Sequence, residues 1–199
     1  MGNLGSIRNM LKKIGMDSEI TSDLDKIKQA KKLILPGVGA FDNGMENIEK
    51  MGLLPILNQL VLEKKTPVLG ICLGMQLMTR RSEEGKLSGL GWIQADTKRF
   101  NFKENGLKIP HMGWNNIQIK KNEPITKDLN NKSRFYFVHS YHAVCDDQTD
   151  TLFETNYGYN FTSAFSRDNI IGVQFHPEKS HKFGMQLLGN FANLPEREG

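Results

Sequence analysis

A single cysteine between two glycines at the end of an apolar run, Leu69-Gly70-Ile71-Cys72-Leu73-Gly74-Met75-Gln76, constrains this chain more than any other stretch. Pro67-Val68-Leu69 reads as the end of a buried strand, and Leu73, Gln76 and Leu77 recur at helical spacing after it. A strand must therefore turn sharply into a helix at Cys72. Backbone crowds backbone in such a turn, and Gly70 and Gly74 are the residues that tolerate it. The turn lifts the sulfur out of the sheet toward a helix N-terminus, whose free N–H groups favour thiolate. The same window also suits a small buried cysteine, so the reading turns on finding a base.

The chain has five histidines, at 111, 139, 142, 176 and 181. Residues 169–175 form a strand-like apolar run that delivers His176-Pro177-Glu178 at its carboxyl end. Side chains two apart in an extended segment point the same way, so Glu178 sits behind His176, and Pro177 stiffens the arrangement. Alone, this is a strand-ending turn with a surface acid. Paired with a cysteine elbow about a hundred residues upstream, it predicts a Cys72–His176–Glu178 relay. Imidazole takes the thiol proton and later protonates a leaving amine, while the carboxylate holds the tautomer. An α/β-hydrolase meets its acid before its histidine; here the histidine comes first, which points to a different architecture.

Leu4, Ile7, Leu11 and Ile14 are spaced for one helix face, and Lys32 to Leu35 reads as a strand feeding a loop at Pro36 to Phe41. Met45, Ile48, Leu53, Leu54, Leu57, Leu60 and Val61 predict helices packed on a sheet. Short strands are expected around Trp92-Ile93, Lys108-Ile109, residues 116–119, residues 135–138 and residues 161–164, with a closing helix from His181 through Phe191. This alternation predicts an α/β fold with a doubly wound, mostly parallel sheet and a small antiparallel addition. The 199 residues, 38% hydrophobic and 24% charged, suit a single domain spanning 1–199. Two cysteines make a disulfide framework improbable and imply a reducing, cytoplasmic setting, with Cys145 a bystander. No apolar run approaches membrane-spanning length. A net charge of +4 with scattered lysines gives no support to nucleic-acid binding.

Five spaced segments carry a resemblance over nearly the whole chain: Pro36-Gly37-Val38-Gly39-Ala40-Phe41, the Cys72 elbow, Pro110-His111-Met112-Gly113-Trp114-Asn115, Tyr136-Phe137-Val138-His139-Ser140-Tyr141 and Gln174-Phe175-His176-Pro177-Glu178-Lys179-Ser180. Together they resemble the glutaminase subunits of imidazole glycerol phosphate synthases, within the class I glutamine amidotransferases. The resemblance implies a flavodoxin-like fold, no cofactor or metal, and a substrate, L-glutamine, whose side-chain amide Cys72 attacks. The oxyanion formed would be met by the backbone N–H of Leu73. A second donor would come from Gly37, Val38 and Gly39, where the alternatives are an ordinary turn or a nucleotide-phosphate loop lacking the full glycine pattern. Gln76, His139, Ser140 and Tyr141 match the positions that hold the substrate's α-amino and α-carboxylate groups.

Ammonia protonates in water and loses its nucleophilicity, so a synthase partner is chemically implied, and the resemblance makes it a cyclase of (β/α)₈-barrel type in a heterodimer. Asn3, Trp114, Asn115, Tyr136 and Lys179 are the candidate docking residues; Trp114 and Tyr136 equally suit a core, and Lys179 a solvated surface. The expected acceptor is the carboxamide intermediate of histidine biosynthesis. Arg81-Ser82-Glu83-Glu84-Gly85, Gly89-Leu90-Gly91-Trp92-Ile93 and Ser180-His181-Lys182-Phe183-Gly184-Met185-Gln186-Leu187 are closer to a paralogous branch that supplies ammonia for an acetamidino sugar in surface polysaccharide. An inactive binding homologue is a third possibility, opposed by the intact Cys72, His176 and Glu178. Relatives normally begin with a short apolar strand before a Met-Gly-Asn turn, whereas this chain starts at Met1-Gly2-Asn3. A start assigned too late, or else a truncated product, is expected, with two inner sheet edges unpaired.

Overall fold

Strand β1 (Leu33–Gly37), strand β2 (Val68–Cys72) and a later strand, Ile170–Val173, lie side by side and parallel in the computed structural model, which describes residues 4–102 and 106–195. The strands between them in sequence are β3 (Ala95–Arg99), β4 (His111–Asn116), β5 (Gln118–Ile119), β6 (Arg134–His139), β7 (Tyr141–Cys145), β8 (Thr151–Tyr157) and β9 (Tyr159–Arg167), which makes Ile170–Val173 strand β10. The main sheet runs β1-β2-β10-β9-β7-β3, with β8 on β9 and β5 on β8, while β4 and β6 form a separate antiparallel ribbon. The α/β architecture stands. The parallel part is confined to the three strands that lead into the elbow and its neighbouring loops, and the antiparallel part holds more strands than the word addition implies.

Alternation along β2 and β10 divides the core. Leu69, Ile71, Ile171 and Val173 pack with Ile7 and Leu11 of helix α1 (Leu4–Lys13) and with Leu187, Leu188 and Phe191 of the last helix, His181–Ala192. Val68 and Ile170 face the other way. They meet Phe41, Met45 and Ile48 of helix α3 (Phe41–Lys50), Leu57 of α4 (Leu53–Asn58) and Met75 of α5 (Leu73–Leu77). With α2 (Leu24–Lys28), the last helix becomes α6. Gly70 and Gly172 are register partners on adjacent strands. A Cβ at Gly70 would come within 2.8 Å of the Met75 backbone, and one at Gly172 within 2.6 Å of Met75 Cγ. This bare patch lets the elbow helix lie directly on the sheet.

Several expected strands moved. Trp92 and Ile93 are not extended: their N–H groups both donate to the Met78 carbonyl, closing the turn after α5, and the strand starts at Ala95. Lys108 and Ile109 precede the strand rather than form it, and β4 begins after Pro110, which has no N–H to give. Strands β7 and β8 carry no clean apolar alternation and lie outside the strands expected from sequence. Among the described residues β1, β2 and β10 adjoin without a gap, so the expected unpaired inner edges are not found, and the outer side of β1 is the sheet edge. A groove of about 720 Å³ lies along that edge, lined by residues such as Leu4, Ile7, Ile34 and Phe191, and by none of Cys72, His176 or Glu178.

Candidate active site

Cys72 is the last residue of β2 and the residue before α5, and it sits at φ 54°, ψ −109°. A non-glycine residue in that region is strained. The strain is held by contacts on both sides of the turn: Gly74 lies so close to β1 that a Cβ there would stand 1.7 Å from the Leu35 carbonyl oxygen. Register sets Gly37 beside Cys72 on the neighbouring parallel strand, so the Gly37, Val38, Gly39 loop leaves the sheet next to the sulfur. Gly39 has φ +101°, a conformation open chiefly to glycine, and Val38 is exposed.

The histidine arrives from β10. Its N–H donates to the Tyr136 carbonyl at 2.9 Å, which ties the strand end to β6. Phe175, fully buried and stacked on Phe135 at 3.9 Å, anchors the segment from the other face, and burial of such a ring contributes roughly 1.5–3 kcal/mol. His176 Nδ1 lies 2.8 Å from Glu178 Oε1, with both side chains buried, while Nε2 is buried without a hydrogen-bond partner. Burial disfavours the imidazolium, but Cys72 and Glu178 together outweigh it and raise the His176 pKa to about 9. The ring is thus protonated at neutral pH, bracketed by a carboxylate and a sulfur, which is the arrangement for passing a proton to a departing amine.

Ser180 completes this turn, a role not foreseen from sequence. Its hydroxyl donates to the His176 carbonyl at 2.6 Å and accepts from the Tyr136 N–H at 3.0 Å. Gly184 of α6 lies against Pro177, where a Cβ would meet the Pro177 carbonyl oxygen at 1.8 Å.

On the other side of the sulfur, Gln76 and Tyr141 come together: Gln76 Nε2 donates to the Tyr141 carbonyl at 3.2 Å and to Gln174 Oε1 at 3.0 Å. Gln174 in turn directs Nε2 at Cys72 Sγ, 3.8 Å away. Gln174 reads in the sequence as part of the apolar run 169–175, yet it stands two residues before His176 and so shares its face. That spacing was the available signal. His139 turns inward, with Nδ1 2.7 Å from the Tyr141 carbonyl and Nε2 3.0 Å from His111 Nδ1, amid Phe100, Phe137 and Phe161. Ser140 lies between His139 and Tyr141 in the β6–β7 turn, and its carbonyl accepts from Phe100 N–H.

Cys145 is buried, and burial pushes its thiol up to about 11, which leaves it inert beside Cys72.

The candidate docking residues form a surface ribbon next to the histidine turn. Trp114 and Tyr136 are register partners on β4 and β6, 6.1 Å apart edge to face. Trp114 is 43% exposed and Met112 62% exposed, so neither is core. Lys179 Nζ sits 5.6 Å over the Tyr136 ring, and Arg134 5.6 Å over Trp114. Asn115 bonds inward, to the Asn156 carbonyl at 2.9 Å and toward His111 Nε2 at 3.3 Å. Asn3 lies outside the described residues.

Comparisons with known proteins show the family. The family model of glutamine amidotransferase class-I matches residues 2–193. A Methanococcus maripaludis protein named imidazole glycerol phosphate synthase subunit HisH 2 is 57% identical over 96% of this chain and 94% of its own. A Pseudomonas aeruginosa protein of the same name is 52% identical over 98% and 96%. Among solved structures, a glutamine amidotransferase superposes with a TM-score of 0.71 at 16% identity, covering 94% of this chain and 95% of that one, a likeness of fold.

Proposed function

The chain belongs to the class I glutamine amidotransferase family, and on that premise we propose that it is the glutaminase subunit of an imidazole glycerol phosphate synthase acting in histidine biosynthesis. The observation that carries the chemistry is the strained Cys72 turn facing a buried His176–Glu178 pair.

In the first half of the reaction the Cys72 thiolate, its proton held on His176, bonds through Sγ to the side-chain amide carbon of L-glutamine, and the carbonyl electrons move to oxygen. The Leu73 N–H and a peptide of the Gly37, Val38, Gly39 loop stabilise that oxyanion. His176 protonates the amide nitrogen, the C–N bond breaks, and ammonia leaves a glutamyl thioester. Water then attacks the thioester carbon, His176 takes its proton, the C–S bond breaks, and glutamate departs, leaving the Cys72 thiolate beside a protonated His176 as at the start. Gln76, Ser140 and Tyr141 line the side on which the amino acid end of the substrate lies, and His139 backs them. Because His176 must be protonated to expel ammonia, kcat/KM for glutamine is expected to fall as pH rises through about 9, read from initial rates of glutamate formation. A raised histidine pKa also stabilises the fold fully below its ordinary value of 6.5, and that contribution is lost as pH rises through about 9.

Ammonia is handed to a cyclase partner of (β/α)₈-barrel type in the cytoplasm. The exposed Met112 and Trp114, with half-buried Tyr136 beside them and Arg134 over the Trp114 ring, support this docking, since aromatic, methionine and arginine side chains are the ones interfaces bury. Among the described residues no helix is long and apolar enough to cross a membrane. A second reading, ammonia for a surface-glycan sugar, rests on segments 81–85, 89–93 and 180–187. The first of these is engaged locally, Glu84 accepting from the Phe41 N–H that opens α3. Introducing the gene into a histidine auxotroph that lacks its glutaminase subunit, with the cognate cyclase gene alongside, restores growth without histidine under the proposed function. Failure to grow, with both proteins present and soluble, favours the sugar acceptor.

A further inference from the structure

The amide pair between the glutamine side and the sulfur belongs to a longer chain of hydrogen bonds whose direction can be derived. A backbone carbonyl only accepts, so the Tyr141 oxygen fixes both groups that reach it. One is Gln76 Nε2, which must be the nitrogen end of that amide. The same nitrogen donates to Gln174 Oε1, which leaves Gln174 Nε2 as the atom facing Cys72 Sγ. The other is His139, whose Nδ1 must carry hydrogen. Burial pushes His139 well below its ordinary pKa, so the ring is neutral and Nε2 accepts. His111 Nδ1 is then the donor to it. Burial lowers His111 to about 4, so its Nε2 accepts in turn, from Asn115 Nδ2. The histidines meet because they are register partners on β4 and β6.

We propose that Gln174 is a further catalytic residue, its side-chain N–H holding the Cys72 sulfur, and that His139 and His111 position it through the Tyr141 carbonyl and Gln76. An N–H aimed at sulfur favours its anionic, nucleophilic form and restrains its rotation. The two histidines touch neither substrate nor sulfur. They hold the carbonyl that orients the amide pair, and being uncharged they do so without opposing the proton on His176. The inference rests on Cys72 being the nucleophile.

The test uses iodoacetamide, which alkylates a thiolate without any glutamine, on the full chain alone and with its partner. Both cysteines are buried, but the Cys145 thiol is pushed up to about 11 and is scarcely ionised at neutral pH, so the label reads Cys72, with a Cys72→Ala chain as the blank. For Gln174→Leu the alkylation rate at neutral pH is expected to fall about fivefold or more and kcat about tenfold or more, with KM within about threefold. Gln174→Glu keeps the shape and the acceptor for Gln76 but removes the donor, so it should lose rate likewise; it carries the test if the leucine variant does not fold. His139→Phe removes the donor to Tyr141, whereas the Asn side chain in His139→Asn places an N–H where Nδ1 stood. The phenylalanine variant should lose several-fold in kcat and the asparagine variant should recover most of it. Strong labelling that is unchanged in both Gln174 variants overturns the assignment of Gln174, and equal loss in His139→Phe and His139→Asn overturns the positioning role. A Cys72→Ala chain that still hydrolyses glutamine would instead remove the premise.

Discussion

Cys72→Ala is expected to abolish glutamine hydrolysis, with a loss of at least about 10⁴-fold in kcat, because no other described group can form the acyl bond. Oxyanion donors and substrate contacts survive the change, so binding of glutamine should persist. The side chain is small and the alanine methyl occupies the Cβ position already held at φ 54°, so the backbone of the elbow need not move. Partner binding and synthesis from added ammonia should therefore stay close to normal in the reconstituted pair. Steady-state rates with glutamine and with ammonium salt, measured side by side, give the answer. Loss of both would mean that Cys72 acts beyond glutamine hydrolysis.

Gly74→Ala is the second large effect, and here two terms of opposite sign compete. Alanine in place of glycine inside a helix favours the fold by roughly 1 kcal/mol. Against that, the new Cβ would stand 1.7 Å from the Leu35 carbonyl oxygen and 2.7 Å from its carbon. Neither is the flexible end of a side chain, so relief requires α5 to lift off β1, which pulls at the pairing of Gly37 with Cys72. Overpacking against backbone is expected to win, at about 3 kcal/mol or more of net destabilisation. For a chain of this size that lowers Tm by several degrees, roughly 6–12 °C. Glutaminase activity should drop with it, because the same shift opens the oxyanion loop. Gly189→Ala is the control. It lies in α6, where the nearest atom to a new Cβ is Ile14 Cδ1 at an ordinary 3.6 Å, so it should be neutral or stabilising. Thermal melts of both variants decide the point: equal behaviour would refute the packing argument.

Much of the site could be read from the chain because its parts are local. The elbow is specified by glycines two residues either side of Cys72, and the His176–Glu178 pair by its closeness in sequence, although the extended geometry expected for it is replaced by a single 3-10 turn over Pro177–Lys179 that brings the carboxylate back to the ring. What could not be read depends on register between distant segments. His111 and His139 are 28 residues apart, and only the pairing of β4 with β6 puts their rings in one hydrogen bond. His139, matched with the substrate contacts by resemblance, has both ring nitrogens engaged inside the protein, so any effect on glutamine passes through Tyr141. Trp92 misled for another reason. Its aromatic and β-branched neighbourhood suits a strand, but its indole N–H bonds to Asn58 and its backbone closes the turn after α5. Tertiary partners overrode propensity there. Gln174 is a single polar residue in an otherwise apolar run, and its spacing of two from His176 is the one sequence signal of its role.

The two tryptophans also make the molecule its own optical probe. Trp92 is 5% exposed, with its indole N–H 2.7 Å from Asn58 Oδ1. Trp114 is 43% exposed and lies flat against His181, the rings 5.5 Å apart and within 5° of parallel. Any protein that settles on β4 shields one indole from water and leaves the other as it was. Emission from Trp114 then shifts to the blue over a constant background from Trp92, so association can be followed on unlabelled protein, and a Trp114→Phe chain supplies the blank.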